Sequence, residues 1–269
     1  MNKKIYILII GITLTVGAYF FSQSNVDFNK SITDEIDFTK TEQNKLIFFE
    51  FEKNLKNNFF TLCKSSCNGI IQKGVIEYTN LNNGYAITLN DKNGGWVEIP
   101  LNGIKIQNEH GTSISFWVSV HTHDKRHNMI YNKGPVGWGS DYRQSINGLY
   151  EGDLKKFQAL WTGNNQKQYL NTLCNDGEEI ILNKWYFVVH VLESDQSTFR
   201  QYINGKEYCN TKSEMPIDFE IADNLLLGKV VGTYDDTSNL TMDDFIIHNY
   251  ALNEKEIQRN FIIGLNNHK

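Results

Sequence analysis

The clearest pattern of hydrophobic and polar positions lies in residues 240–264, where a strand runs into a helix. In the first part of this stretch, alternate side chains belong to opposite faces, which is the period of a β-strand. The period then changes, and Asn253 with Glu256 three positions later forms a capping-box pattern at a helix start. Ile257 begins an apolar helical face, and Gly264 can end the helix. The pattern therefore predicts a last strand followed by a short capped helix.

The same alternation recurs in short segments along the chain, separated by turn residues. The predicted strands cover residues 45–52, 85–89, 96–99, 112–120, 129–133, 185–192, 198–203, 206–209 and 225–227. Turn residues at 90–95 predict a hairpin between the strands on either side, and Asn204-Gly205 is a strong type I′ hairpin signal. Many short strands with turns between them predict a two-sheet antiparallel sandwich.

The order of these segments resembles the concanavalin A-like lectin/glucanase superfamily, in its laminin-G-like branch. The resemblance is carried by Trp117 in a Ser-Phe-Trp-Val strand, by Trp185 at the start of a long core strand, and by an Asp pair opening the last strand. It covers residues 45–266 and is weakest between 134 and 176. It implies an all-β jelly-roll sandwich with a short C-terminal helix. Because this fold hosts lectins, adhesion modules and hydrolases, the fold alone does not determine the function.

The N-terminal residues predict a membrane segment. Lys3 and Lys4 precede an uncharged apolar run from Ile5 to Phe21, which is just long enough to span a bilayer. The alternative is a cleaved signal peptide, for which Ser22-Gln23-Ser24 offers a weak small-x-small cleavage site. Either interpretation places the remainder outside the cytoplasm, at a cell surface, in a periplasm or in a lumen, or secreted if the segment is cleaved.

The domain organisation follows from these segments. Residues 1–24 are interpreted as a signal anchor or signal peptide, residues 25–44 as a polar tether, and residues 45–269 as the laminin-G-like sandwich. A chain of 269 residues can form such a sandwich as one domain. The formal net charge of −5 argues against nucleic acid as a partner.

Four cysteines in an exported chain can all pair, with three possible connectivities. Cys63 and Cys67 are close enough to close a small loop, and Cys174 and Cys209 would then pair across neighbouring strands. The two cysteines of Cys-Lys-Ser-Ser-Cys could also form half of a metal site, but no matching Cys or His pair follows. Structural disulfides are therefore the preferred interpretation.

Asp243 and Asp244 define the first candidate site. Adjacent residues on a strand point to opposite faces, so only one of these carboxylates is expected to point inward. An inward carboxylate must be compensated by hydrogen bonds or by a hard cation. The resemblance implies a structural calcium here, and Asn90, Asp91 and Glu50 are candidates for further oxygen ligands. The alternative is that Asp243 caps backbone amides of a neighbouring loop.

A ligand surface is predicted in residues 134–161, where aromatic side chains lie among Gly, Asp, Arg and Asn. Aromatic platforms beside polar groups suit sugar rings, whose faces are apolar and whose rims carry hydroxyls. The named patch consists of Trp138, Asp141, Tyr142 and Arg143. The alternative is that about half of the aromatic rings in this stretch belong to the core.

Two other candidate chemistries are weaker. His121, His123 and His127 could bind zinc, but nothing fixes their geometry, and a solvated loop end is the preferred interpretation. Glucanases of the superfamily use a Glu-x-Asp-x-(x)-Glu strand. Its best match here, Glu193-Ser194-Asp195, lacks the final Glu and lies in a predicted turn.

The predicted function is therefore a non-catalytic, membrane-tethered binding module that recognises a glycan or a protein surface. The first alternative is a structural subunit that assembles with other surface proteins. The second alternative is a glycoside hydrolase of the glucanase type.

Overall fold

The computed structural model describes residues 45–53, 70–73, 76–90, 95–101, 106, 109–124, 127–133, 145–163, 168–172, 179–218, 224–229 and 238–268. All of them belong to one unit, Thr41–Lys269. The predicted anchor and tether, residues 1–44, lie outside the described residues. Within the described ranges, no helix is long and apolar enough to cross a membrane.

Strands dominate the described part of the chain. In chain order they are β1 (Lys45–Phe49), β2 (Ile70–Lys73), β3 (Glu77–Asn80), β4 (Tyr85–Leu89), β5 (Trp96–Ile99), β6 (Thr112–Val120), β7 (His127–Lys133), β8 (Ser145–Glu151), β9 (Lys156–Thr162), β10 (Tyr169–Asn171), β11 (Trp185–Leu192), β12 (Thr198–Ile203), β13 (Lys206–Lys212), β14 (Leu225–Leu227) and β15 (Leu240–His248), followed by the helix α1 (Glu254–Gly264). The helix begins with the predicted capping box, in which Asn253 and Glu256 bond each other's backbone amides.

The strands form two antiparallel sheets, which confirms the predicted sandwich. One sheet has eight strands in the order β13-β12-β11-β6-β15-β4-β3, with β1 paired to β15. The other has seven strands in the order β10-β9-β8-β7-β14-β5-β2. Strand β15 changes partner along its length, because β4 pairs with Leu240–Met242 and β1 pairs with Phe245–His248. The acidic pair lies at this change of partner.

The core lies between the sheets, and a second apolar layer lies under the helix. Phe116 and Phe245 of the eight-stranded sheet face Tyr131 and Trp161 of the seven-stranded sheet, and all four are fully buried. On the outer side of the eight-stranded sheet, Trp117 belongs to a separate cluster that includes residues of α1 and its preceding turn. Burial of large aromatic and aliphatic side chains in both layers drives this arrangement.

Several sequence expectations need correction. The predicted hairpin across residues 90–95 is wrong, because β4 and β5 lie in different sheets and this connection crosses between them. The predicted half-burial of β6 is also wrong, since all nine of its residues are buried. Strands β2, β3, β8, β9 and β10 were not predicted. The Asn204-Gly205 hairpin is confirmed, with φ of 52° and 78° joining the paired strands β12 and β13.

Candidate functional sites

The outer face of the seven-stranded sheet carries amides and hydroxyls instead of a continuous apolar layer. Strand alternation places these side chains opposite the core residues Ile146, Trp161 and Leu170. We call this surface the amide face, and its members are Asn132, Ser145, Asn147, Gln158, Thr162, Tyr169 and Asn171.

Hydrogen bonds join the amide face into two short networks. Asn132 donates to Asn147, the Nδ2 of Asn147 donates to the Oγ of Ser145 at 3.2 Å, and Ser145 shares a hydrogen bond of 2.9 Å with Thr162. Asn132 and Asn147 are 0% and 1% exposed. Because these buried polar groups satisfy one another's hydrogen bonds, their side chains are held in fixed positions next to the more accessible part of the face.

The accessible part of the amide face lies on the edge strand β10. Gln158 Nε2 donates to Asn171 Oδ1 at 2.7 Å, and Asn171 Nδ2 donates to the Tyr169 hydroxyl at 3.2 Å. Tyr169 is 36% exposed, and Asn171 is half-buried. An exposed phenol ring therefore lies beside oriented amide groups.

The predicted patch of Trp138, Asp141, Tyr142 and Arg143 lies outside the described residues. The connection that contains it leaves β7 after Lys133 and enters β8 at Ser145. Ser145 pairs directly with Thr162, which pairs directly with Tyr169. The connection therefore enters the sheet at Ser145, which is the first residue of the cross-strand row Ser145–Thr162–Tyr169. This row ends in the exposed ring of Tyr169. The three other rings in this stretch, Tyr150, Phe157 and Trp161, are fully buried in the core.

A β-bulge brings the acidic pair together. The pairing of β15 with β6 shifts between Asp243 and Ile246, and Asp244 takes a φ of 47°. The ligand atoms of Asp243, Asp244 and His268 all lie within 4.8 Å of one another. The expectation that the two carboxylates point to opposite faces is therefore wrong, because the bulge interrupts the alternation. Both carboxylates and His268 lie on the outer side of the eight-stranded sheet, where Trp117 also lies.

His268 is the member of this cluster that the sequence analysis missed. Its Nε2 lies 2.9 Å from Asp243 Oδ2, and its Nδ1 lies 2.9 Å from the carbonyl oxygen of Gly264. Its ring stacks on Trp117 with centroids 4.3 Å apart. No signal in the sequence marks His268, since it follows the helix in a polar stretch and reaches Asp243 only through the tertiary fold.

The electrostatics of the Asp243–His268 pair follow from its burial. Burial raises the pKa of Asp243 to about 8, outweighing the lowering effect of the Asp244 backbone amide. Burial also lowers the pKa of His268. A carbonyl oxygen only accepts, so Nδ1 of His268 donates to Gly264. Burial therefore disfavours a charge on either member of the pair.

A cavity of about 260 Å³ adjoins the cluster, between the eight-stranded sheet and α1. Asp244, Glu50 and Arg259 are among the residues that line it. Asn90 does not lie beside the acidic pair. It follows Leu89, and Leu89 pairs with Leu240, which lies three residues before Asp243 in β15. Asp91 lies outside the described residues. The structure therefore brings Asp243 and Asp244 together but does not add Asn90 to them.

The remaining candidates occupy separate places. Cys209 on β13 forms a disulfide. Cys63, Cys67 and Cys174 lie outside the described residues, so the two predicted pairings stay predictions.

The three histidines 121, 123 and 127 bond different partners. His121 contacts Asn183 at 2.8 Å, and His127 contacts Glu151 at 2.7 Å, whereas His123 bonds the hydroxyl of Tyr150. This arrangement gives the described histidines structural roles and does not form a metal centre from them.

The Glu193-Ser194-Asp195 segment forms the predicted turn between β11 and β12. Asp195 accepts hydrogen bonds from the backbone amides of Ser197 at 2.9 Å and Thr198 at 2.7 Å. Glu193 forms an ion pair with Arg200 at 3.2 Å. These contacts explain both carboxylates as parts of a well-bonded turn.

The fold and the chain's sequence agree on the family. The model of the concanavalin A-like lectin/glucanases superfamily, in its laminin G form, matches residues 90–258. The chain belongs to this superfamily. Comparison with curated proteins finds no sequence match.

Solved structures with the same fold include two toxin domains and one domain of an enzyme. The botulinum neurotoxin serotype D binding domain matches with a TM-score of 0.62, 16% identity, and coverage of 83% of this chain and 52% of that chain. The binding domain of Paraclostridial Mosquitocidal Protein 1 matches with a TM-score of 0.62, 15% identity, and coverage of 82% and 52%. The chain thus spans about half the length of these toxin domains.

The third structure is domain 4 of a GH43 extracellular arabinanase from Geobacillus stearothermophilus, in complex with arabinotriose. It matches with a TM-score of 0.61, 17% identity, and coverage of 80% of this chain and 97% of that domain. At these identities the similarity establishes the shared fold.

Proposed function

We propose that this chain is a non-catalytic module that binds a glycan at the amide face and the 134–144 connection, and that a membrane anchor holds it outside the cytoplasm. The observation that carries the glycan proposal is the row from Ser145 through Thr162 to Tyr169. This row joins the connection that contains the predicted aromatic patch to an exposed ring beside oriented amides.

The chemistry of this row suits a sugar. An aromatic ring packs against the apolar face of a sugar ring, and amide groups bond its hydroxyls. Tyr169 supplies the ring, while the half-buried Asn171 supplies an amide group that is already oriented by hydrogen bonds with the buried Gln158 and with Tyr169. Because these groups are fixed before binding, little conformational entropy is lost when a ligand orders them.

The structural neighbours support a binding role. The arabinanase domain is described in complex with arabinotriose, and both toxin fragments are described as binding domains. The superfamily also contains hydrolases, so the proposal that the amide face is non-catalytic depends on the carboxylates of the seven-stranded sheet.

Within the described strands of the seven-stranded sheet, the acidic residues are Glu98 on β5 and Glu151 on β8. The order of strands separates them by three steps, β5-β14-β7-β8. At about 4.8 Å a step, this is roughly 14 Å. Glycosidases hold their two carboxylates about 5–9.5 Å apart. Moreover, Glu151 forms an ion pair with His127 at 2.7 Å.

The membrane tether rests on the sequence. The apolar run of residues 5–21 follows two lysines, which favours an N-terminus in the cytoplasm and a sandwich on the other side. Alkaline extraction of membranes tests this directly. The anchor predicts that the chain stays in the pellet, whereas release of a shortened chain would identify a cleaved signal peptide.

A glycan array with the detergent-solubilised full-length chain tests the binding proposal. For the glycan that binds best, we expect Tyr169→Ala and Trp138→Ala each to weaken binding about tenfold, which corresponds to about 1.4 kcal/mol. The matched control is Tyr85→Ala, because Tyr85 is a partly exposed tyrosine on the other sheet. Absence of binding to any glycan, or equal effects of Tyr169→Ala and Tyr85→Ala, would refute the proposal.

A further inference from the structure

We propose that Asp243, Asp244 and His268 form a binding site for a divalent transition-metal ion of the Zn²⁺ or Mn²⁺ type. The site is independent of the proposed glycan surface, because it lies on the other sheet. The resemblance of the sequence implied calcium at the acidic pair, but calcium prefers six to eight oxygen ligands. The described residues instead place an imidazole nitrogen beside two carboxylates, and imidazole suits Zn²⁺ and related transition metals.

The spacing of the cluster fits a single ion. Ligand atoms at about 2.0–2.2 Å from one zinc ion lie at most about 4.4 Å apart. The three ligand atoms here all lie within 4.8 Å of one another, and the Asp243–His268 pair is already at 2.9 Å. An adjustment of about 0.4 Å would bring all three ligand atoms within this limit.

An unsatisfied carboxylate oxygen provides a second, independent observation. Asp243 is only 3% exposed, and its Oδ1 has no hydrogen-bond partner among the described residues. A buried carboxylate oxygen without a partner is costly, and a bound cation removes this cost. Its other oxygen, Oδ2, already faces His268. The carboxylate oxygen that lacks a partner therefore belongs to a side chain that already contacts His268.

His268 is oriented as a metal ligand requires. Metal-binding histidines typically donate their second ring N–H to a carbonyl or carboxylate, which fixes the tautomer and the ring orientation. His268 makes this bond from Nδ1 to Gly264, and the ring is held between Trp117 and Trp185, with centroid distances of 4.3 and 4.9 Å. Nε2 is therefore directed at the carboxylates.

An ion can reach the cluster from the adjoining cavity. Asp244 is half-buried and lines the cavity of about 260 Å³, together with the acidic side chain of Glu50. Asp243 and His268, in contrast, are almost completely buried. Asp244 is consequently the ligand that meets the incoming ion first.

Metal titration of the full-length chain tests the site. After EDTA treatment, isothermal titration with Zn²⁺, Mn²⁺ and Ca²⁺ should give one site per chain for Zn²⁺ or Mn²⁺, with Ca²⁺ at least tenfold weaker. Asp244→Asn and His268→Phe should each weaken binding tenfold or more. Asn tolerates the positive φ at position 244, and Phe preserves the ring stack on Trp117.

Two further measurements keep the result interpretable. His110→Ala is the matched control, because His110 is an exposed histidine, and it should bind metal as the wild type does. Co²⁺ should quench tryptophan fluorescence in the wild type and much less in His268→Phe, since His268 stacks on Trp117. Binding of Ca²⁺ as tightly as Zn²⁺ and Mn²⁺, full retention of metal by both variants, or no binding below millimolar concentration would each overturn the proposal. If His268→Phe fails to fold, Asp244→Asn alone decides.

Discussion

A buried histidine between the sheets should make the stability of this protein depend on pH below neutrality. His190 on β11 is fully buried, and burial lowers its pKa from 6.5 to about 3. Its Nε2 lies 3.1 Å from Gln201 Oε1, and its Nδ1 lies 2.6 Å from the Tyr131 hydroxyl. The amide nitrogen of Gln201 donates to the carbonyl of Phe157 at 3.1 Å. Gln201 Oε1 must therefore accept from His190.

The network also fixes the role of Tyr131. Trp161 Nε1 donates to its hydroxyl oxygen at 3.3 Å, so the hydroxyl proton is available for Nδ1 of His190. The neutral imidazole thus accepts a hydrogen bond from Tyr131 of the facing sheet and donates one to Gln201 of its own sheet. A protonated imidazole would present a second donor to Tyr131, and the hydroxyl proton would then have no acceptor.

The magnitude follows from the two pKa values. The unfolded histidine binds a proton as the pH falls through 6.5, while the folded protein binds one only near pH 3. The unfolded state therefore binds more protons between these values, and the free energy of unfolding falls as the pH falls. At pH 5 the loss attributable to His190 is about 2 kcal/mol, and at pH 3 it is about 4 kcal/mol.

The variant His190→Gln removes this titration while it keeps a donor and an acceptor on the side chain. Urea unfolding of the full-length chain at pH 7.5 and pH 5.0, followed by tryptophan fluorescence, gives the four free energies required. We expect the wild type to lose about 2 kcal/mol more than the variant between these pH values. Subtracting the variant's loss of stability from that of the wild type cancels the contributions of the other titrating groups, including Asp243.

The exposed His110 supplies the control, and His110→Gln should lose stability in parallel with the wild type. Equal losses in the wild type and His190→Gln, within about 0.5 kcal/mol, would show that burial and the two hydrogen bonds do not keep the His190 imidazole neutral in the folded protein.

Three smaller perturbations test separate packing claims by the same urea assay at pH 7.5. Gly148→Ala should cost about 2–3 kcal/mol, because its Cβ would lie 2.2 Å from the Tyr131 ring, and wild-type stability would contradict this close packing. Asn253→Ala should cost about 1 kcal/mol through loss of the capping box with Glu256, and a change below about 0.3 kcal/mol would argue that the cap is unimportant. With EDTA present, Asp244→Val should be about 1–2 kcal/mol less stable than Asp244→Asn because of the φ of 47°, whereas equal stabilities would remove the case for a left-handed bulge residue.

Local patterns predicted the elements whose formation depends on neighbours in sequence. The alternation in β6 and β15 and the apolar run in β11 predicted strands, the Asn204-Gly205 pair predicted a hairpin, and the spacing of Asn253 and Glu256 predicted the capped helix. Each of these signals depends on side chains within a few residues of one another. The order of such segments was sufficient to indicate the superfamily.

The parts that depend on distant contacts were not predictable. The hairpin expected at residues 90–95 is a crossover, because partner choice for β4 and β5 is decided by β15 and β14 far along the chain. The bulge at Asp244 occurs where β15 changes partner from β4 to β1, and no local pattern marks that point. His268 joins the acidic pair only through the tertiary fold.

Buried polar side chains show the same limit. His190 lies within an apolar run that correctly predicted a core strand, but its hydrogen-bond partners come from β7 and β12. The amide face likewise comes from strands β7 to β10, and its side chains come together only through the pairing of these strands. The sequence named an aromatic connection that enters β8 at Ser145, but it did not predict the amide face.

Hydrogen–deuterium exchange of the full-length chain, with and without the glycan that binds best on the array, locates the bound glycan on the protein. Binding at the amide face should slow exchange in peptides from β7 to β10, including the 134–144 connection, and should leave exchange in β15 and α1 unchanged. Protection confined to β15 and α1, or no change anywhere with bound glycan, would contradict the assignment of the amide face as the binding surface.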